Sequence, residues 1–498
     1  MNRRRLLGEF YPPTIVYTTS DNKQITNNIQ FNSNQIVSHT QDETTAEWKI
    51  VLNKNINKIP NQFFYQQTTL KTIRFENLDN VYSIGTNFLD SCSNLQSINL
   101  SGLSQITSID NYFLQNCIGL QSIDMSYLSK LKTIGIGFLK GNAGIKNINF
   151  DGLSNVTSIA ASFLVNCSRL QTIDLSSLSN VTSIGSSFLN GCSGLQDIVL
   201  PHLLKITKID NWFLAHCSSL QTIDLSPLTQ VTTIGNDFLY NCNQLQSIDL
   251  SPLSQVNSIG TYFLYQCSDL QSIDLSPLSK LTSIDDSFLK ACSNLQNINL
   301  SGLSNVTSIG GDFINNCSKL QNINFSGWTN LKTVGNYFLQ DLPDTVDVLD
   351  LSSLTNVETI GSTFLYKAKM KKLILPETTK LNRINGYFLG ECSNIKTINL
   401  SGLSHVITIY ENFLVKCSAL QSIDLSPLNQ VTSIGTYFLS NCSKLTTLTM
   451  PNTTGITSVG SSYLNNCSQL ITIYCPKGTL DKYKTLMPNK DSIMVELD

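Results

Sequence analysis

The sequence predicts an α/β repeat protein: a solenoid of about 17 coils of about 25 residues, with a parallel β-sheet lining its concave face. Two observations predict it. First, three consecutive stretches, from Leu220, Leu245 and Leu270, read LQTIDLSPLTQVTTIGNDFLYNCNQ, LQSIDLSPLSQVNSIGTYFLYQCSD and LQSIDLSPLSKLTSIDDSFLKACSN. Second, a phenylalanine recurs from Phe63 to Phe438, and Tyr463 closes a series of 17. The step is 25 residues except for 338 to 364 (26) and 364 to 388 (24). An L-x-x-I-x-L core at a period of roughly 20 to 29 residues marks a leucine-rich repeat, whose coils bury their apolar faces only by stacking.

Residues 1–46 precede the repeats. Thr14 to Thr19 are rich in β-branched residues and end at the turn signal Ser20-Asp21-Asn22. Ile29, Phe31, Ile36 and Val37 suggest further strands, so this segment reads as a β-rich N-terminal cap over the open end of the array. Residues 47–476 form the solenoid, with Trp48, Ile50 and Leu52 in its first strand-like segment. Within a coil, Ile98 and Leu100 alternate with Ser97, Asn99 and Ser101, which gives a strand with one face in the core. Leu103, Ile106 and Ile109 carry the core onward, and Asn111 to Asn116 read as one helical or 3₁₀ turn before Cys117. Residues 477–498 form a C-terminal cap, with a short helix after Gly478 and a last strand at Ser492 to Val495.

Of 498 residues, 41% are hydrophobic and only 14% charged, so Ser, Thr, Asn and Gln must supply most of the polar surface. The net charge of −2 gives no global positive field for nucleic acid or anionic lipid. No apolar run approaches the 18 or so residues of a membrane span. Arg3, Arg4 and Arg5 resemble the start of a secretory signal, but Gly8-Glu9 follow Leu6-Leu7 where an apolar stretch is required. On that reading the chain stays in the cytoplasm or leaves by another route.

Thirteen of the 14 cysteines fall in one column, Cys92 to Cys467, and Cys475 stands outside it with more exposure expected. No zinc spacing occurs, and parallel side chains suit disulfide geometry poorly, so the column reads as buried, reduced thiols. Metal ions and other cofactors are therefore not expected. His39, His202, His216 and His405 have no nucleophile or carboxylate pattern around them, and no phosphate-binding loop occurs, so no catalytic residue is assigned.

The outward strand position carries Asp174, Asp224, Asp249 and Asp274. Carboxylates stacked at about 4.8 Å repel one another and favour a proton, a cation or a basic partner group. This acidic stripe is the first candidate partner-binding surface; the alternative is a solvated face that keeps sheets apart. The second candidate is the irregular zone, where Asp344 and Asp347 lie one coil from Lys369 and Lys371. The alternative there is a mutually neutralising surface pair. Tyr112, Trp212, Tyr262, Tyr337, Tyr387 and Tyr437 precede the repeating Phe and suit sugar stacking, yet never fall in adjacent coils.

The repeat I-G-x-x-F-L-x-x-C-S-x-L-x-S-I-x-L-S resembles the BspA-type, or Treponema pallidum-type, leucine-rich repeat. Phe-Leu stands where that family shows Ala-Phe, and Ser mostly replaces its Pro, which is kept at Pro201, Pro376, Pro451 and Pro476. The ending I-Y-C-P-K-G-T-L-D-K-Y is similar to the family's closing segment. The resemblance implies a non-catalytic surface protein that binds host proteins, matrix or other cells, so the expected partner is a protein, with a glycan or host surface next. It also implies a cell-surface or extracellular location. A structural or receptor-binding component of a phage particle, or an intracellular scaffold, are the alternatives; the scaffold fits the reduced thiols.

Overall fold

The computed structural model describes residues 11–201, 203–378 and 380–497. Arg3 to Arg5, and with them the signal-like reading, lie outside the described residues, as does His202. The fold is a parallel β-solenoid of about 17 turns of about 25 residues. Helix is scarce: among the described residues the one α-helix is Leu480–Leu486. The chain divides into two compact units, residues 1–231 and 232–498.

The first unit opens with β1 (Thr14–Thr19), β2 (Ile36–Gln41) and β3 (Trp48–Leu52), in the order β2-β3-β1. β1 runs antiparallel to both β3 and the strand Leu70–Glu76, with Ile15 facing Ile50 on one side and Phe75 on the other. Its burial on both sides accounts for the unbroken apolar run Ile15-Val16-Tyr17, all 1% exposed or less. The buried Tyr17 hydroxyl meets His39 Nε2 at 2.7 Å and accepts from the Ile25 N–H at 3.0 Å.

From there each coil carries a longer strand, such as Ser97–Asn99, then a 3₁₀ turn or equivalent (Ser101–Leu103), then a two-residue strand (Ser108–Ile109). The two-residue strands form a six-stranded parallel ladder from Lys58–Ile59 to Ser183–Ile184. The longer strands pair in twos instead, Ser122–Asp124 with Asn147–Asn149 and Thr172–Asp174 with Asp197–Val199. Beneath them the phenylalanine rings stack, Phe88 to Phe113 at 5.2 Å and Phe113 to Phe138 at 5.3 Å.

The segment Asn111 to Asn116 is not helical. Tyr112, Leu114 and Asn116 sit at φ 61°, 50° and 56°, alternating with right-handed residues. A helical turn would bond its amides within the coil. This alternation sends them outward along the array: Leu114 N–H to Phe88 O (2.9 Å), and Tyr112 and Asn116 N–H to Ile136 O and Lys140 O (2.6 and 2.8 Å). Leucine in the left-handed region costs roughly 1–2 kcal/mol. Burial of the side chain and the bond to the neighbouring coil hold it there.

The second unit repeats this plan, with Phe238 and Phe263 stacked at 5.5 Å. Across the irregular zone Phe338, Phe364 and Phe388 stay stacked at 5.4 and 5.3 Å. The added and missing residues are thus taken up in loops, Asp341 to Asp347 and Lys367 to Lys371. At the end, the strand Thr472–Cys475 pairs in parallel with Thr447–Thr449 and with Met494–Glu496, and α1 (Leu480–Leu486) lies between the last two in sequence. Cys475 is buried, contrary to expectation, because its strand is central to that sheet.

Candidate binding face

The outward positions of the longer strands have a local task that the repeat pattern conceals. In every coil with Asp or Asn there, the side-chain oxygen accepts the backbone N–H two residues on. Ser176 N–H bonds Asp174 at 2.8 Å, Ser226 N–H Asp224 at 2.8 Å, and Ser251 and Ser276 N–H bond Asp249 and Asp274 at 2.9 Å. This is an Asx turn, which closes the strand and starts the next bend. Val199, Ile374, Thr449 and Tyr474 break the pattern, and two residues after each stands Pro201, Pro376, Pro451 or Pro476. Proline has no N–H to give, so an acceptor there would gain nothing. The covariation is visible in the sequence as D/N-x-S against x-x-P.

Asp174, Asp224, Asp249 and Asp274 are all exposed. Hydrogen bonds from the Ser176 hydroxyl and N–H hold the Asp174 carboxyl below the ordinary range, and the Ser251 N–H and hydroxyl do the same for Asp249. Mutual repulsion would act in the opposite direction. Asp274 also accepts from Asn299 Nδ2 at 2.8 Å, as Asp124 does from Asn149 at 3.0 Å. A shallow groove of about 360 Å³ runs over this part of the strand face, lined by Ser272, Asp274, Asn297 and Asn299.

In the irregular zone, Lys371 Nζ meets Asp347 at 3.0 Å, and the Lys371 N–H bonds the Asp347 carbonyl at 2.9 Å. Both side chains are well exposed, so the pair contributes on the order of 0–1 kcal/mol. Asp344 and Lys369 are exposed without an ion pair among the described residues, and the Lys369 N–H bonds Leu342 O at 2.8 Å. The four residues thus reduce to one ion pair. Beside them the strand face opens into a larger concavity of about 550 Å³, bordered by Ser352, Lys372, Ile374, Glu377, Asn399 and Ser401.

On the left-handed turns, tyrosines from two columns meet. Tyr240 and Tyr265 stack at 4.8 Å, and Tyr262 stands edge-on to both at 5.9 and 5.6 Å. Tyr366 meets Tyr387 at 5.6 Å with Lys367 Nζ 5.1 Å from its ring centre. The column before the Phe does not reveal these groups; the F-L-Y runs at 238–240, 263–265 and 364–366 do. Trp212 and His216 stack at 6.2 Å.

The cysteine column does more than fill space. Cys117 Sγ donates to Leu89 O at 3.0 Å and Cys292 Sγ to Leu264 O at 3.2 Å, each satisfying the carbonyl of a left-handed leucine one coil back. Asn142 stands in the column where a cysteine is missing and donates to Leu114 O and Leu139 O, both at 2.8 Å. Burial raises the Cys292 and Cys317 thiols, Cys317 to about 12, so these two stay protonated. Among the described residues no cluster of His, Cys, Asp and Glu is placed to hold a metal ion, and no helix is long and apolar enough to cross a membrane.

A search of curated protein sequences finds no match to the chain. Among solved structures it is similar to a leucine-rich repeat protein from Bacteroides ovatus, at 16% identity over 98% of this chain and 99% of that one, with a TM-score of 0.44. It is also similar to the T. pallidum leucine-rich repeat protein, at 24% identity over 36% and 79% of the two chains (TM-score 0.30). A third similarity is to a leucine-rich cell surface protein from Faecalibacterium prausnitzii, at 14% identity over 91% and 88% (TM-score 0.34). The model of the BspA type leucine-rich repeat region matches residues 34–168, 142–252, 227–344 and 354–486, nearly the whole solenoid. The chain therefore belongs to the BspA-type leucine-rich repeat proteins.

Proposed function

We propose that this chain is a non-catalytic recognition protein that binds a protein partner through the face formed by its longer strands, and that it does so as an adhesin at a cell surface. One observation carries the reading: both concavities described above open on that face, among exposed Ser, Asn and Asp side chains fixed on stacked strands. Fixed side chains lose little freedom on binding, which favours affinity without further ordering. A photo-crosslinking residue at Ser272 or Asn297, with the exposed Thr282 and Thr307, each just before a two-residue strand, as controls, tests the face. The expected result is one shared adduct from the first two positions only; adducts from the controls alone, or none, overturn it. Protease shaving of intact source cells tests the location, since full protection removes the adhesin reading.

The acidic column belongs to this proposal as a selector for basic partners. Changing Asp224, Asp249 and Asp274 together to Asn keeps each turn acceptor and removes three charges. Weaker binding of a basic partner, with a shallower salt dependence, is expected. Unchanged affinity leaves the aspartates as turn closures alone. The Tyr240–Tyr262–Tyr265 cluster favours a glycan as a second class of partner, because the exposed Tyr262 ring, set beside two half-buried ones, can stack on a sugar ring. Loss of glycan-array signals in Tyr262→Ala is the expected result.

A further inference from the structure

The concavity beside the irregular zone coincides with a local departure from the repeat. Regular coils place leucine three residues after the strand's last leucine, as in Leu275 and Leu278. In the coil of Lys372–Ile374 that position is Thr378, buried at 3% exposure, and Leu375 before it is only half-buried. Thr378 bonds Gly402 O with both its N–H (3.0 Å) and its hydroxyl (3.2 Å). The coil is therefore tied to the next one at Gly402, past the strand. Within the strand the described residues show no such tie. Lys372–Ile374 pairs with Val348–Asp350, but no backbone hydrogen bond among the described residues joins residues 371–375 to 396–400. In a regular pair the equivalent bonds are made, as from Leu275 N–H to Asn299 O (2.9 Å) and Gln296 N–H to Gln271 O (2.9 Å).

Strand alternation fixes what faces the opening. Ile374 O accepts the Leu351 N–H at 2.9 Å, so Ile374 points its backbone at the preceding coil. Leu373 and Leu375 then turn theirs toward the next one, where Asn399 waits. The Asn399 amide lacks its usual partner as well: Asn299 donates to Asp274 of the preceding coil, but the residue preceding Asn399 in the column is Ile374. The floor is apolar (Leu373, Ile374, Leu375) and the rim polar, with Lys372 and Glu377 bringing one charge of each sign. Other strand pairs are also separate, but here the separation coincides with a space of about 550 Å³ and an apolar floor.

We propose that this opening is a peptide-binding site. An extended segment of a protein partner lies along Lys372–Leu375, pairs its backbone with Leu373, Leu375 and Asn399, and seats an aliphatic side chain on Ile374. Backbone pairing supplies affinity and the floor supplies selection for alternate apolar side chains. A segment without net charge suits the balanced rim. The site rests on the reading of the strand face as the recognising surface and names the partner's chemistry.

The test uses the full chain and a panel of dye-labelled, end-capped pentapeptides of the form Thr-Z-Thr-Z-Thr, with Z as Val, Ile or Leu, read by fluorescence anisotropy. The same peptides carrying N-methyl groups on both Z residues serve as comparison. Binding by the unmethylated set and affinity at least about tenfold lower for the methylated set are expected, since each methyl removes a backbone donor. Ile374→Asp places a carboxylate where Asp274 stands beside Asn299, and Ser401→Lys crowds the rim; both are expected to abolish binding. Thermal melting checks that each variant folds, and either variant alone suffices. Asn299→Lys, in the other groove of the face, separates this site from the rest of the face, and Thr307→Lys, off the face, is the variant expected to leave binding intact. No binding by any peptide, or binding that survives both trough variants, overturns the site. Loss with Asn299→Lys but not with the trough variants also overturns it, while leaving the strand face as the recognising surface. Binding untouched by both trough variants and by Asn299→Lys overturns both readings.

Discussion

At the scale of single residues, one column serves two masters. Asp249 offers charge to solvent, yet its oxygens are occupied by Ser251, whose N–H and hydroxyl lie at 2.9 Å. Asparagine does the turn's work equally well in five other coils, at Asn99, Asn149, Asn299, Asn324 and Asn399. Asp249→Asn is therefore expected to keep the turn at a small loss of urea stability, while Asp249→Ala lowers it by about 1 kcal/mol. Because Ser251 holds the folded carboxyl below its unfolded value, its contribution is fully present above the ordinary aspartate range, near pH 4. It declines as pH falls through the lowered folded value. The alanine and native chains are thus expected to converge in acid, which denaturation at pH 7 and pH 3 would check. The repeat showed this column as acidic; the proline coils showed why it carries a hydrogen-bond acceptor, and that correlation spans positions two apart rather than 25.

At the scale of the element, the thiol column is a row of hydrogen-bond donors that happens to be apolar enough to bury. Asn142 is the informative exception. It satisfies two carbonyls, but its own Oδ1 is buried without a partner. Asn142→Cys restores the column's usual donor and removes that orphan, so its stability should equal or exceed that of the native chain. Asn142→Ala leaves the Leu114 and Leu139 carbonyls without this donor and is expected to cost about 1–3 kcal/mol. Paired urea melts decide between them; equal loss in both would show that the sulfur's bond contributes nothing. The strand and the stacked Phe were legible because burial periodicity writes itself into residue type. The left-handed turns were not. Leucine at Leu89, Leu114 and Leu139 looks like helix or core, and nothing in a leucine announces φ near 50–55°. Only the asparagines and glycines two residues later, Asn116, Gly141, Asn166 and Gly191, hint at that backbone. The peptide trough was half-legible: the 26- and 24-residue steps marked the place, but the loss of strand pairing beside Lys372–Ile374 leaves no mark in residue type.

At the scale of the molecule, burial of all 14 cysteines makes the whole array its own reporter. Buried thiols are out of a reagent's reach and react only after coils open. Incubation with a thiol-specific reagent at neutral pH is expected to label none in the native chain over minutes and all 14 in denaturant. Early labelling confined to one cysteine would locate the least stable coil, and labelling of many under native conditions would contradict the buried column. The balance of solenoid and surface also separates two kinds of change. Substitutions at outward strand positions alter what a partner meets, whereas those at the Phe, Cys and left-handed Leu columns alter how coils hold one another.

The left-handed turns carry one mechanical consequence. Their amides point alternately backward and forward, so the backbone of each turn is fastened to the coil on either side. A chain so fastened, pulled from its ends, yields as a zip does, tooth after tooth. Each tooth releases about 80 Å of slack from its 25 residues, and each can re-engage with the one beside it once the tension drops.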